Sequence, residues 1–248
     1  MTESGDGLPI LQESSDVDAG GPTNGLAIDF KTRPLLLQMY GKQGSGKSVL
    51  CKSLLYAASK QGIFDWVIVY TATAWNDHYR SFLPEHAVRV WDQDAFYEMF
   101  AKIRAFKKAN PKKALSRGLC IVDDCLGQQK LYDPRFMNLI STYRHYNVDL
   151  WQCQQIVSYG ASTLQRTMVD WAFLYRATDD QSIRALHKMA GGLYPNMKSF
   201  KTAFLKCTSE KHTAMVFENG KNTVAESYRA FKCDVAPSFM LKFEPNGL

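Results

Sequence analysis

The chain has 248 residues, of which 46% are hydrophobic and 22% charged, and its formal net charge is +6. This composition is typical of a soluble globular protein, and the length allows one large α/β domain or two small ones, of which we favour one. No apolar run approaches the roughly 18 residues of a membrane span, so no span is expected. The positive charge is too small to indicate nucleic-acid binding alone.

The ends of the chain read as tails. Residues 1–25 are rich in Gly, Ser and Asp and lack the basic start and apolar core of a signal peptide. We expect them to be disordered, and we expect residues 237–248 to form a C-terminal tail. Residues 26–236 then form the folded domain.

The cysteines show no paired C-x-x-C spacing and mostly lie in apolar runs, which predicts free thiols in a reducing compartment. They are Cys51, Cys120, Cys125, Cys153, Cys207 and Cys233. Two of them, Cys120 and Cys125, flank an acidic pair, but no second Cys/His cluster is present to complete a zinc site.

The first strong motif is GKQGSGKS at residues 41–48, which matches G-x-x-x-x-G-K-[ST]. An apolar run precedes it, and the helix-compatible segment Lys47–Lys60 follows it. Glycines let the backbone N–H groups converge on phosphate oxygens at a helix N-terminus. Lys47 would reach the β- and γ-phosphates, and the Ser48 hydroxyl would ligate Mg²⁺. A glycine-rich turn with an exposed lysine is the alternative. The expected nucleotide-binding residues are Gly41, Lys42, Gln43, Gly44, Ser45, Gly46, Lys47, Ser48 and Val49.

The next part of the chain alternates strand-like and helix-like segments. Residues 65–71 predict a buried strand, residues 74–84 a loop, residues 87–90 a short extended piece and residues 94–108 an amphipathic helix.

Residues 102–117 hold seven basic side chains and no acidic ones. The seven are Lys102, Arg104, Lys107, Lys108, Lys112, Lys113 and Arg117. This run predicts either a solvated helix face or a surface that contacts phosphates, and charge alone does not separate the two.

A second motif follows at residues 119–124, where the apolar strand LCIV ends in two carboxylates. In enzymes with a phosphate loop, an Asp at the tip of a neighbouring strand holds the Mg²⁺ shell, and the next acid polarises the attacking water. Asp123 fits the first role and Asp124 the second. A helix N-cap or turn aspartate is the alternative.

The remaining segments complete an alternating pattern. We expect helices at residues 136–145, 162–169 and 180–189, strands at residues 147–153 and at Trp171–Tyr175, and a sheet-edge strand at residues 212–218.

Gln154 and Gln155 follow the strand at 147–153. Because ligands of open α/β sheets bind at the carboxyl ends of strands, one of these glutamines is a candidate to orient water and sense the γ-phosphate. An ordinary polar loop is the alternative.

Taken in order, four stretches resemble a known family. GKQGSGKSVL, LCIVDD, RHYNVDLWQCQQ and TLQRTMVDWAFLYR are similar to the genome-packaging ATPases of double-stranded DNA viruses, the poxvirus-type branch of the FtsK/HerA superfamily of P-loop NTPases. The similarity spans residues 35–176. Its most specific part is the pair Arg144 and His145, with a strand-end glutamine ten residues later.

The resemblance implies an α/β, RecA-like additional-strand P-loop fold with a central, mostly parallel sheet and helices on both faces. In that fold the strand at 148–153 lies between the phosphate-loop strand and the strand ending at Asp123. Gln155 then takes the sensor position, with Gln154 as the fallback if the strand register shifts by one. The second acid is Asp124, as in the poxvirus-type branch, where the wider superfamily often has Glu.

Arg144 and Arg166 match arginines of the family pattern. Either is a candidate arginine finger that acts across a subunit boundary, and a helix-surface salt bridge is the alternative for each. A finger in trans requires a ring, and the family pattern implies a homo-oligomeric pentamer or hexamer.

The resemblance therefore implies a motor that hydrolyses ATP with Mg²⁺ and moves double-stranded DNA, without sequence specificity, into a preformed viral capsid. Capsid vertex proteins would be partners, and the site of action would be the interior of the host cell, or the virion vertex. A cellular-type DNA helicase or translocase, a nucleotide-switched capsid assembly protein and a small-molecule kinase are the alternatives.

Overall fold

The computed structural model describes residues 26–74, 77–125, 133–155 and 163–242, with the side chains of residues 163–165 left out. The expected N-terminal tail, residues 1–25, and the end of the C-terminal tail, residues 243–248, lie outside the described residues.

A single sheet organises the described residues. Its strands are β1 (Leu36–Tyr40), β2 (Trp66–Thr71), β3 (Val88–Val90), β4 (Gly118–Asp123), β5 (Val148–Gln154), β6 (Trp171–Tyr175), β7 (Thr213–Glu218) and β8 (Tyr228–Lys232). They lie in the order β3, β2, β4, β5, β1, β6, β7, β8. The first six of these are parallel, and β7 and β8 are antiparallel to their neighbours. The expected mostly parallel sheet is confirmed.

Helices cover both faces of the sheet. They are α1 (Lys47–Lys60), α2 (Asp77–Arg80), α3 (Gln93–Ala109), α4 (Pro134–Thr142), α5 (Thr163–Met168), α6 (Asp180–Ala190), α7 (Met197–Cys207) and α8 (Val224–Ser227). One buried cluster joins Leu36 and Tyr40 of β1 to α3, α4, α6 and α7, and the other joins Leu37 and Met39 of β1 to α1 and α2. Because both faces are buried, the strands β2, β4 and β6 are largely apolar.

The position of β5 decides the geometry of the site. β5 pairs in parallel with β1 on one side and with β4 on the other, as expected for an additional-strand fold. The Gly41 N–H donates to the Gln154 carbonyl at 3.0 Å, and the Asp124 N–H donates to the Cys153 carbonyl at 3.1 Å. The two segments that follow β1 and β4 are therefore both tied to the end of β5.

Several elements differ from the expectations. The expected loop at 74–84 contains the short helix α2, and the expected helix at 136–145 ends at Thr142 and continues as a 3₁₀ turn, Tyr143–Tyr146. Asn147 ends that turn with a φ of 55°, which reverses the chain into β5. The strand expected at the sheet edge, β7, is internal, because the unexpected strand β8 pairs along its outer side.

The C-terminal segment packs on the domain as far as it is described. The Phe239 ring lies 5.2 Å from that of Tyr56 and 5.4 Å from that of Phe82, and the Leu241 N–H donates to the Phe82 carbonyl at 3.0 Å. Across the described residues, no helix combines the length and the apolar character that a membrane span needs.

Candidate active site

The phosphate loop leaves β1 through a crowded turn. A Cβ atom on Gly41 would lie 2.5 Å from the Ser45 Oγ and 2.6 Å from the Tyr175 Cβ, so no larger residue fits there. Gly44 and Gly46 have φ angles of 73° and 111°, which side-chain-bearing residues rarely adopt. Gly46 is the N-cap of α1, so the loop delivers the chain to a helix N-terminus facing the cleft.

Lys47 is folded back over this loop. Its side chain is buried, and its Nζ donates to the Gly41 carbonyl at 2.6 Å and to the Lys42 carbonyl at 3.3 Å. These contacts hold the ammonium group beside the backbone that precedes α1. The positive charge is thus held at the phosphate loop, which suits a phosphate group.

A candidate metal-binding corner, formed by Ser48 and Asp123, adjoins the loop. The Ser48 Oγ lies 3.4 Å from the Asp123 Oδ2, and Asp123 is buried at the end of β4. Among the described residues the Asp123 Oδ1 is buried without a hydrogen-bond partner. Burial raises the pKa of Asp123 above its usual value, against a hydrogen bond from Tyr79 that lowers it. A hydroxyl and a carboxylate with a spare oxygen are hard donors of the kind that Mg²⁺ prefers, so the residues fit this ion.

Asp124 and Gln155 meet at the tips of the adjacent strands β4 and β5. The Gln155 Nε2 donates to the Asp124 Oδ2 at 2.9 Å, while the Asp124 Oδ1 is buried without a partner among the described residues. Asp124 has a φ of 53°, an uncommon conformation for a residue with a side chain. Both residues line the cleft, whereas the buried Gln154 does not. The arrangement places a carboxylate oxygen and an amide beside the phosphate loop.

The cleft has a volume of about 920 Å³ and extends beyond the expected residues. Its wall also holds side chains that the sequence motifs did not indicate. They are Ala72, Thr73, His78, Tyr79, Tyr175, His212, Lys232, Cys233, Asp234 and Val235.

Three of these additional residues touch the motif residues directly. The Tyr79 hydroxyl donates to the Asp123 Oδ2 at 2.8 Å, and a ring nitrogen of His78 lies 3.2 Å from the Ser48 carbonyl. A ring nitrogen of His212 lies 3.3 Å from the Ser45 carbonyl. None belongs to a local pattern, so only the tertiary structure reveals them.

The two candidate arginines lie before the amino-terminal ends of strands, at the edge of the sheet opposite the cleft. Arg144 lies in the 3₁₀ turn before β5, where its Nη2 pairs with the Asp170 Oδ1 at 2.8 Å and its Nε donates to the Tyr143 hydroxyl at 3.0 Å. Arg166 lies on α5, just before β6, and its Nη1 donates to the Lys188 carbonyl at 3.0 Å. Parallel strands begin at the end of the sheet opposite the phosphate loop, and neither arginine lines the cleft.

A family model now decides the identity of the chain. The model of the poxvirus A32 protein matches residues 28–163, which is more than half of the chain. The chain belongs to the poxvirus A32 protein family. The matched region runs from before the phosphate loop of this A32-family protein to beyond Gln155, so it contains the whole Asp123, Asp124 and Gln155 constellation. The recognised resemblance is confirmed.

The curated relatives include two viral proteins. The A32-family chain is 25% identical over 192 residues to an uncharacterised protein of Acanthamoeba polyphaga mimivirus, covering 74% of the chain and 66% of the relative. It is also 25% identical over 202 residues to an uncharacterised protein of frog virus 3 (isolate Goorha), covering 81% of the chain and 61% of the relative. The chain thus spans less than two thirds of the length of both relatives.

Solved structures share the fold. The genome packaging NTPase B204 of Sulfolobus turreted icosahedral virus 2, in complex with sulfate, superimposes with a TM-score of 0.60 at 15% identity, covering 83% of this chain and 99% of B204. The cytoplasmic domain of the type VII secretion ATPase EccC of Thermomonospora curvata gives a TM-score of 0.53 at 13% identity, covering 81% and 25%. Family and fold together show a member of the A32 family that has the fold of these ATPases.

Proposed function

We propose that this A32-family ATPase hydrolyses ATP with Mg²⁺ and uses the energy to move double-stranded DNA into a preformed viral capsid. The observation that carries the proposal is the contact between Asp124 and Gln155 at 2.9 Å, beside the buried Asp123 and the phosphate loop. A loop alone would only bind a nucleotide, but these strand-end side chains add the groups that hydrolysis needs.

In this proposal the loop binds and orients the nucleotide. The N–H groups at the start of α1 and the Lys47 ammonium group hold the β- and γ-phosphates. Ser48 and Asp123 hold the metal, which supplies charge neutralisation on the phosphate oxygens when it is bound. The residues 41–49 therefore fix the reacting phosphate next to Asp124.

Asp124 then acts on the attacking water. Because Gln155 donates to one oxygen of the Asp124 carboxylate, the other oxygen, Oδ1, accepts a hydrogen bond from a water molecule and takes its proton during attack. The Gln155 amide holds the carboxylate in this orientation and senses the γ-phosphate. Gln154 has a structural role in this proposal, since its carbonyl accepts a hydrogen bond from the Gly41 N–H and ties the loop to β5.

A ring would complete the site. We propose a homo-oligomeric ring of five or six subunits, in which Arg144 or Arg166 reaches the cleft of a neighbouring subunit. Both arginines lie at the edge of the sheet opposite the cleft, which suits an action in trans and not in cis. Capsid vertex proteins are the proposed docking partners, inside the host cell or at the virion vertex.

The basic segment at 102–117 is a candidate for the DNA contact, and the structure divides its members. Arg117 is taken up by the Asp149 carboxylate at 2.6 Å, Lys102 pairs with Glu98 at 3.5 Å, and Lys107 donates to carbonyls of the following turn. The exposed candidates for phosphate contacts are Arg104, Lys108, Lys112 and Lys113, of which Lys113 also lies over the Phe106 ring, 6.0 Å from its centroid. Non-specific phosphate contacts of this kind weaken steeply as the salt concentration rises.

Movement along DNA is tested most directly with a triplex substrate. A packaging motor is expected to displace a third strand from an intact duplex in the presence of Mg²⁺ and ATP while the two duplex strands stay paired. Separation of the duplex strands would instead favour a helicase. Hydrolysis that ignores DNA but responds to capsid protein would favour a nucleotide-switched assembly protein, and the proposed DNA motor would then be wrong.

A further inference from the structure

The short helix α2 (Asp77–Arg80) lies against the metal-binding corner, and its residue Tyr79 has no part in the motifs. Tyr79 is 4% exposed and packs against the rings of His78 and Phe82, with centroid distances of 5.1 and 5.8 Å. It also lines the cleft. The hydroxyl of a buried tyrosine usually makes a hydrogen bond, and the group that it contacts indicates what the residue does.

The partner of Tyr79 is the carboxylate that we assign to the metal. Its hydroxyl donates to the Asp123 Oδ2 at 2.8 Å, which is shorter than the 3.4 Å between that oxygen and the Ser48 Oγ. The neighbouring His78 places a ring nitrogen 3.2 Å from the Ser48 carbonyl. α2 therefore touches both of the residues that are expected to hold Mg²⁺.

This contact fixes how the carboxylate presents itself. With Oδ2 engaged by Tyr79, the oxygen of Asp123 that has no partner among the described residues is Oδ1. In a carboxylate that is free to rotate, either oxygen can face the metal, and a metal ion would then have to order the carboxylate on binding.

We propose that Tyr79 is a positioning residue that orients Asp123 for Mg²⁺ and so couples metal binding to nucleotide binding. The proposal rests on the proposed function of the site, since it assumes that Ser48 and Asp123 hold the metal. Phenylalanine would fill the same space in the apolar surroundings, so the role belongs to the hydroxyl and not to the ring.

The test compares nucleotide binding with and without the metal. The affinity of the full chain for a fluorescent, non-hydrolysable ATP analogue is measured in saturating Mg²⁺ and in EDTA, for the wild type and for Tyr79→Phe. We expect the ratio of the affinity in Mg²⁺ to the affinity in EDTA to be about tenfold smaller for Tyr79→Phe than for the wild type, because removing a group that orients a metal ligand usually has an effect of this size. The affinity in EDTA and the thermal midpoint without nucleotide should stay close to those of the wild type.

Tyr194→Phe is the matched control. Tyr194 is also buried, its hydroxyl has no hydrogen-bond partner among the described residues, and it does not line the cleft. Its variant should keep the full Mg²⁺ effect. A second check uses Asp123→Asn, in which the further change Tyr79→Phe should have no additional effect on the response to Mg²⁺, because the group that it positions is already lost.

The outcomes separate this role from the proposed function. If the wild type binds the analogue more tightly with Mg²⁺ and Tyr79→Phe does so to the same extent, the positioning role is overturned while the metal site stands. An equal loss of affinity in Mg²⁺ and in EDTA would make Tyr79 a merely structural residue. A wild type that binds equally well in Mg²⁺ and in EDTA would overturn the metal site itself, and the role of Tyr79 with it.

Discussion

At the scale of single residues, the chemistry of the site depends on how two carboxylates differ. Asp123 is buried, contacts Ser48 and Tyr79, and faces the metal-binding corner. Asp124, the next residue, turns away through a positive φ and meets Gln155. Neighbouring acids with different partners take different roles, and here one suits a cation while the other suits a water molecule.

Changing Asp124 to Asn should stop hydrolysis and leave binding. The amide keeps the shape but cannot take a proton from water, so we expect kcat to fall by at least about 100-fold, the range in which general bases contribute. The affinity for the ATP analogue should change little. Steady-state turnover and analogue binding measure the two effects separately. Turnover near the wild-type rate would assign the catalytic base to another residue.

The two adjacent glutamines allow a matched comparison. Gln155→Ala removes the donor to the Asp124 Oδ2, so we expect kcat to fall by about tenfold or more. Gln154→Ala changes a buried residue whose carbonyl contact to Gly41 is kept, and it should retain a larger share of the wild-type kcat. The reverse order of the two kcat values would show that the sensor is Gln154 and that the register of β5 is shifted by one.

At the scale of elements, β5 depends on a buried ion pair at its second residue, Asp149. Asp149 is fully buried and accepts from the Leu35 N–H at 3.0 Å and from the Arg117 Nε at 2.6 Å. Arg117 also donates to the carbonyls of Phe30 and Arg33. This arginine therefore joins the segment before β1 to the strands β4 and β5.

Arg117→Ala should destabilise the protein strongly. It leaves the Asp149 carboxylate buried without its cation, which costs about 3–5 kcal/mol of unfolding free energy. Arg104→Ala, an exposed arginine of the same basic segment, should change it by less than about 0.5 kcal/mol. Equal effects of the two variants in urea unfolding would contradict the structural role of Arg117.

The stability of Arg117→Ala, relative to the wild type, should depend on pH. Burial raises the pKa of Asp149 to about 7, against the effect of Arg117, and loss of the arginine should raise it further. A carboxyl with a raised pKa in the folded state contributes stability that is present at low pH and lost as the pH rises through that value. The loss of unfolding free energy in Arg117→Ala, relative to the wild type, should therefore be larger at pH 8 than at pH 5. A deficit that does not depend on pH would contradict this.

The sequence predicted the elements that carry local patterns. The phosphate loop, β4 with its acidic end and β5 with its glutamines all have a motif or a sustained apolar run, and each is where it was expected. α2 has four residues and no periodicity, so it read as loop. The contact between Tyr79 and Asp123 joins residues 44 positions apart, and no local pattern encodes such a contact. The edge strand β8 was missed because its five residues alternate only weakly, and its pairing with β7 stabilises it.

At the scale of the whole molecule, the edge of the sheet opposite the cleft carries the candidates for contact between subunits. Arg144 and Arg166 both lie there, anchored by the Asp170 carboxylate and the Lys188 carbonyl respectively. A ring that stacks this edge against the cleft of the next subunit would bring an arginine to the γ-phosphate. The isolated subunit would then hydrolyse ATP slowly.

Mixed rings test which arginine acts in trans. Lys47→Ala subunits have an impaired site but intact arginines, whereas Arg144→Ala or Arg166→Ala subunits have an intact site. We expect Lys47→Ala and the variant of the arginine that acts in trans each to be inactive alone, and we expect their mixture to recover turnover. ATP turnover at varied mixing ratios measures the recovery. If neither mixture recovers activity, neither arginine acts in trans.

The central claim is that hydrolysis at this site drives movement on DNA. The most direct measurement is the steady-state rate of Mg²⁺-dependent ATP hydrolysis by the oligomeric protein, with and without linear duplex DNA at low salt. We predict a rate that duplex DNA increases several-fold and that Lys47→Ala abolishes under both conditions. An oligomer that hydrolyses ATP at the same rate with and without duplex DNA, or does not hydrolyse it at all, would contradict the proposed motor.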